Sequence, residues 1–126
     1  MAMVWGQGEL FPRANVMDKM AARSILSEYP KMRKAILKFE RKASLSVQEE
    51  TLFNSLKYKV QEIDAAIELI LDDEVKAILK HRYFTARKHH LTLETFGATS
   101  STATINRRID VGVETIAECL KLSGMI

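Results

Sequence analysis

The 126-residue chain contains one cysteine, Cys119, so neither a disulfide framework nor a zinc knuckle can be built from it. The place of Cys119 near the apolar side of a helical stretch makes it a core thiol in a reducing compartment. Two prolines and five glycines are too few for a β-rich or a disordered chain. Residues 1–14 hold Trp5, Gly6, Gly8 and Phe11-Pro12 but no basic start and no long apolar run, so they form neither a signal peptide nor a membrane span. No Gly-rich phosphate loop, dinucleotide fingerprint or Ser/His/Asp ordering is present, and an enzyme is not expected. His81, His89 and His90 lack an acidic or cysteine partner at ligand spacing, so no metal or other cofactor is expected. They read as helix-end and loop histidines near a phosphate backbone. Asp72-Asp73 imitates a catalytic carboxylate pair, but neighbours on a helix point different ways, and charges at a helix start are the commoner use.

What is present is a globular composition, 47% hydrophobic and 28% charged. A chain of this length buries about two-thirds of its unfolded surface, enough for one domain or two small helical lobes. The expected fold is all-α: an irregular N-terminal arm over residues 1–14, an N-terminal lobe of two or three antiparallel helices over 15–71, and a C-terminal helical unit over 72–126. In the arm, Val4, Trp5, Leu10 and Phe11 can dock on the body or on a partner, or belong to a loosely held terminus.

From Asn15, with Asn15 or Asp18 as cap, Met17, Met20, Ala21, Ile25 and Tyr29 mark one side of a helix that should stop or kink before Pro30. Pro30 suits the first turn of the next helix, whose stripe is Met32, Ala35, Ile36 and Phe39. Lys31, Arg33, Lys34, Lys38, Arg41 and Lys42 form either a phosphate-contacting face or a solvated helix surface. Ser46 and Glu49 have capping-box form and open a long helix to about Leu71. Along it Phe53, Leu56, Val60, Ile63, Ile67 and Ile70 repeat at coiled-coil spacing, as a helix-packing seam or a homodimer seam. Leu52, Ala66 and Leu69 widen the stripe, which favours packing within the chain. The acidic residues of this helix suit a place beside the basic one before it.

After the acids 72–74, Val75, Ile78, Leu79 and Tyr83 define the apolar stripe of a helix over about 73–84. A basic connection, Thr85-Ala86-Arg87-Lys88-His89-His90, follows. Thr92 can cap a short helix and Gly97 can end it with positive φ, placing a turn at 97–100. Ser101 or Thr102 can cap a last helix whose apolar positions are Ile105, Ile109, Val113, Ile116 and Leu120. The opposite face begins with Ser100, Ser101, Thr102, Thr104, Asn106, Arg107 and Arg108. Short polar side chains let a helix end enter the major groove, and arginines can fork onto guanine or pair with phosphate.

Leu91-Thr92-Leu93-Glu94 followed by Ser101-Thr102-Ala103-Thr104-Ile105-Asn106-Arg107 resembles the region 4 helix-turn-helix of bacterial sigma factors. Ile78-Leu79-Lys80-His81-Arg82-Tyr83-Phe84 resembles the helix preceding it, and the whole is similar to small phage late-gene regulators of the RinA and ArpU type. Phe96-Gly97 comes about half a turn early for that pattern, so the first motif helix is expected to be short. The resemblance implies a cytoplasmic DNA-binding transcriptional regulator, phage-encoded and acting on late genes with host RNA polymerase. Ser101, Thr102, Thr104, Asn106 and Arg107 would face bases, and Arg87, Lys88, His89, Thr92 and Arg108 phosphates. Double-stranded DNA is the expected partner, and no membrane is. The competing expectation is a phage protein that binds and inhibits a host protein, with a degenerate helix-turn-helix as scaffold; the short motif helix and the late acids Asp110, Glu114 and Glu118 suit it. A net charge of +3 and a pI near 9.1 fit nucleic acid but also many proteins that never touch it.

Overall fold

The structure is a computed structural model that describes residues 12–85 and 88–126; the expected arm residues 1–11, and Arg87 in the basic connection, lie outside them. Among the described residues every regular element is a helix, and the chain is all-α. No helix among them is long and apolar enough to cross a membrane.

Helix α1 (Val16–Glu40) starts at a reciprocal cap: Asn15 Oδ1 accepts from the Asp18 amide at 2.8 Å, and the Asn15 amide donates to Asp18 Oδ2 at 2.9 Å. Of the stop or kink expected before Pro30, the stop does not occur. The helix runs through the proline, although Pro30 has no amide to donate and crowds the preceding turn. Packing offsets that cost at the adjacent residue. Tyr29 is buried, its ring stacks on Phe84 at 3.9 Å and 11°, and its hydroxyl donates to Asp64 Oδ1 at 2.6 Å. Burial, then the Asp64 hydrogen bond, pushes the Tyr29 phenol up to about 12.

The inward face of α1 also differs from expectation. Ala22, Leu26, Tyr29 and Met32 are buried, whereas Met17 and Met20 are 70% and 56% exposed. Both series keep helical spacing, so periodicity alone did not separate them; the neighbours across the core select the first.

Helix α2 (Val47–Glu68) opens on the capping box anticipated at Ser46, whose Oγ accepts from the Glu49 amide at 3.1 Å. Phe39 meets Phe53 edge-on near the 41–46 connection, and Tyr29 meets Asp64 farther from it, so α1 and α2 lie antiparallel. Val60, Ile63, Ile67 and Ile70 are buried inside the chain, and Phe53 and Leu56 are half-buried at the end near the connection. The apolar area that a dimer seam would require is thus largely covered intramolecularly. Leu52 and Leu69, expected to widen the stripe, remain about half exposed, while Ala66 is buried.

Asp72 caps α3 (Asp73–Leu79) by accepting from the Glu74 and Val75 amides. The helix expected to run regularly to Phe84 widens after Leu79 into one π-helical turn over Lys80–Phe84, closed by the Thr85 amide donating to the Lys80 carbonyl at 3.0 Å. Nothing in Lys-His-Arg-Tyr-Phe announces this. Its effect is to bury Tyr83 while Phe84 reaches Tyr29 on α1 and His81 reaches the next helix.

Helix α4 (His89–Phe96) and helix α5 (Thr102–Leu122) complete the chain. All five expected apolar positions of α5, Ile105, Ile109, Val113, Ile116 and Leu120, are buried. They join one continuous core with residues of α1, α2, α3 and the π turn, so residues 15–71 and 72–126 are packed against each other. Helix α5 ends where Gly124 takes φ +82°. There the Gly124 amide donates to Lys121 O at 3.2 Å and the Met125 amide to Leu120 O at 2.9 Å. The positive φ expected at Gly97 is therefore found at Gly124.

Candidate nucleic-acid interface

The polar end of α5 is organised by its cap. Ser101 Oγ accepts from the Thr104 amide at 3.2 Å and lies 2.9 Å from Thr104 Oγ1, which accepts from Arg107 Nη2 at 3.4 Å. Serine is in place here because its short side chain reaches back to the third amide of the helix. Ser101, Thr102, Asn106 and Arg107 are exposed and Thr104 is half-buried. Directly behind them Ile105 and Ile109 anchor the helix in the core. The result is a rigid helix end with hydroxyl, amide and guanidinium groups on its outer side and the positive end of the helix dipole at its tip.

Arg108, expected at phosphates, is not part of that outward group. It turns toward α3 and donates to Glu74 Oε1 at 2.6 Å and to Ser100 Oγ at 2.9 Å. One residue beyond Arg107 is a 100° step around the helix, which moves its side chain from the outer face to the flank next to Glu74. This pair ties the turn before α5 to the start of α3.

Thr92 departs most from expectation. Lys88, not Thr92, occupies the cap position of α4, without a side-chain cap bond, and Thr92 lies inside the helix at 0% exposure. It cannot touch a phosphate. Its Oγ1 lies 2.9 Å from Nδ1 of His81 on the π turn. Thr95 Oγ1 donates to the Leu91 carbonyl at 2.8 Å and lies 3.3 Å from His81 Nε2, so each imidazole nitrogen has a hydroxyl of α4 within reach. The His81 ring meets Phe96 edge-on at 5.7 Å. His81 therefore ties the π turn to α4, and His89 and His90 are exposed. Thr92→Val keeps the shape and removes the hydroxyl, leaving a half-buried imidazole nitrogen unpartnered. We expect a loss of about 1–3 kcal/mol, with faster amide exchange over residues 89–96 and Thr92→Ser close to the parent. Unchanged exchange in Thr92→Val would show that α4 is held by other contacts.

Gly97 ends α4 with φ −69°, so its role is not the left-handed backbone expected of it. A Cβ there would stand 2.6 Å from the Leu93 carbonyl oxygen, and close approach is what requires glycine. Lys88 and His89 are exposed at the start of α4, on a separate element from the Ser101–Arg107 cluster.

The late acids of α5 are largely engaged within the chain. Asp110 accepts from Arg23 at 2.9 Å and from Lys19 at 3.3 Å, and Glu114 lies 3.8 Å from Lys19. Two residues that sequence reasoning did not single out shape the site: Glu74, which holds Arg108, and Gly112, which lets α5 approach α3. The second had a signal, since a glycine inside an apolar helical pattern costs about 1 kcal/mol unless something needs the space.

Cys119 is half-buried beside the core, and burial followed by the nearby Glu62 charge pushes its thiol up, which disfavours the reactive thiolate. No group of three or more His, Cys, Asp or Glu among the described residues could hold a metal ion. Compared with known protein families, with curated proteins and with solved structures, the chain matches none.

Proposed function

We propose that the protein is a non-enzymatic DNA-binding transcriptional regulator that reads duplex DNA with the first turns of α5. The observation that carries this reading is the two-sidedness of that helix: Asn106 and Arg107 are exposed while Ile105 and Ile109, beside them in sequence, are fixed in the core. A base-reading helix needs that combination, because a groove contact discriminates only if its side chains are held in register. The Arg23 and Lys19 contacts to Asp110 also lessen the opposition that α5's own acids offer to a polyanion. Action on phage late genes in the host cytoplasm, with host RNA polymerase as partner, rests on the resemblance of residues 78–107 to sigma region 4 and to the RinA and ArpU regulators.

The test is binding of the full chain to a duplex selected from a random pool. Asn106→Ala with Arg107→Ala should weaken the selected duplex by about 10- to 100-fold, nearly abolish its advantage over an unrelated duplex, and lower the salt slope by about 1. Wild-type affinity and slope in that variant would sink the reading. The eight-residue length of α4 favours a second reading, in which the same helices are a scaffold that binds and inhibits a host protein. That outcome would move weight to it.

A further inference from the structure

Six cations of residues 31–42 looked equivalent in sequence, and the structure divides them. Arg33 turns toward α2, where it lies 3.9 Å from Asp64 and 5.8 Å from the Tyr29 ring centre, and Lys42 pairs with Glu49. The other four, Lys31, Lys34, Lys38 and Arg41, follow one another at steps of three, four and three and are all exposed. That spacing keeps them on one side of α1. The nearest acids turn toward α2 on either side of it: Glu28, one step before Lys31, lines a groove with Leu56 and Lys59 of α2, and Glu40 lines a separate hollow with Lys57 and Gln61. Arg82 extends the basic side across to the π turn, where it lines a hollow with Ser27 and Pro30, with its guanidinium 4.9 Å from the Tyr83 ring centre.

We propose that Lys31, Lys34, Lys38 and Arg41 form a second, sequence-independent contact of this protein with the nucleic-acid backbone, continued by Arg82. The ten helical steps from Lys31 to Arg41 cover about 15 Å, long enough to meet more than one phosphate of a strand. The ridge's own side chains are all basic, three of them lysines. Lysine is depleted in the centres of protein interfaces, which rely on aromatic and apolar anchors, whereas a phosphate backbone needs only point charges within reach. Duplex DNA is therefore the partner this surface fits, and the inference rests on the proposed binding of duplex DNA by this chain.

The test compares two charge-matched variants of the full chain. Lys34→Gln with Lys38→Gln removes two ridge cations; Lys57→Gln with Lys59→Gln removes two exposed cations of α2. Affinities for the selected duplex and for an unrelated one are measured by fluorescence anisotropy across a salt series, after thermal unfolding has shown that both variants fold. We expect the ridge pair to lower the salt slope by about 2 for both duplexes, leaving the ratio of their affinities unchanged, and the α2 pair to leave the slope nearly as in the parent. Equal effects of the two pairs would reduce the ridge to a contribution to net charge and overturn the proposal, as would an unchanged slope in the ridge variant. If the ridge pair acts while Asn106→Ala with Arg107→Ala does not, the reading of α5 fails and the ridge stands. If the reverse holds, the ridge fails and α5 stands; no duplex binding by the parent chain overturns both.

Discussion

Replacing Ile63 with lysine is expected to remove the cooperative thermal transition of the chain at neutral pH, with circular dichroism showing largely lost helix at room temperature. Ile63 is 0% exposed in the C-terminal half of α2, in the core shared by α1, α2, α3 and α5. The substitution forfeits about 1.5–3 kcal/mol of apolar burial and places an ammonium without a carboxylate partner where water is excluded, a penalty of several kcal/mol more. Against a total stability of about 5–15 kcal/mol, that sum is decisive. Leu71→Lys, at a position 95% exposed, serves as control and should change the stability by no more than about 0.5 kcal/mol. Sedimentation of the Ile63 variant gives the opposing outcome: a well-folded monomer obtained from a parent dimer would mean that the α2 stripe faces a second chain.

Gly112→Leu should produce the other large loss, about 3 kcal/mol or more, because it forces apart two helices that touch at that point. A Cβ on Gly112 would lie 2.6 Å from Leu79 Cδ1, 2.9 Å from Leu79 Cγ and 3.0 Å from Val75 Cγ1. Leu79 is fully buried and has no solvent to retreat into, so α5 must lift from α3. Gly112→Ala meets the same clash with one carbon but gains helix propensity of about 1 kcal/mol, and its net loss should be near 1 kcal/mol. Lifting α5 also strains the Arg108–Glu74 pair, so the leucine variant should lose duplex affinity although it touches no DNA-facing residue. Denaturant titration checks the first expectation and anisotropy the second. A leucine variant with the parent midpoint would mean that the helices stand farther apart than described.

The outward end of α5 was readable from sequence because one local rule governs it. When Ile105 and Ile109 face inward, the 3.6-residue period places Asn106 and Arg107 outside, and both are exposed. Thr92 was misread for a related reason: threonine's ability to cap is the same whether it stands before a helix or within one, and only the His81 imidazole on another element identifies which. Arg108 differs from Arg107 by its neighbour Glu74, 34 positions away in the chain. The ridge on α1 was visible as charge but not as a surface: helical phase turns Arg33 toward α2, where Asp64 meets it, and Lys42 leaves only when α2 supplies Glu49.

By itself the sequence determined that the chain is helical, that helices begin at Ser46, near Asp72, at Asn15 or Asp18 and at Ser101 or Thr102, and which side of α5 is apolar. Cap bonds close within three residues and an apolar stripe within two turns, so no distant group can alter them. The tertiary structure decided that α1 continues through Pro30, which of its faces turns inward, that the chain opens into a π turn at Lys80, and that Thr92 and Arg108 face the protein. Those outcomes depend on pairings as far apart in the chain as Lys19 with Asp110, separated by 91 positions. Burial and pairing at such contacts are worth as much as the local preferences of proline, threonine or arginine, and where the two conflict the packed core prevails.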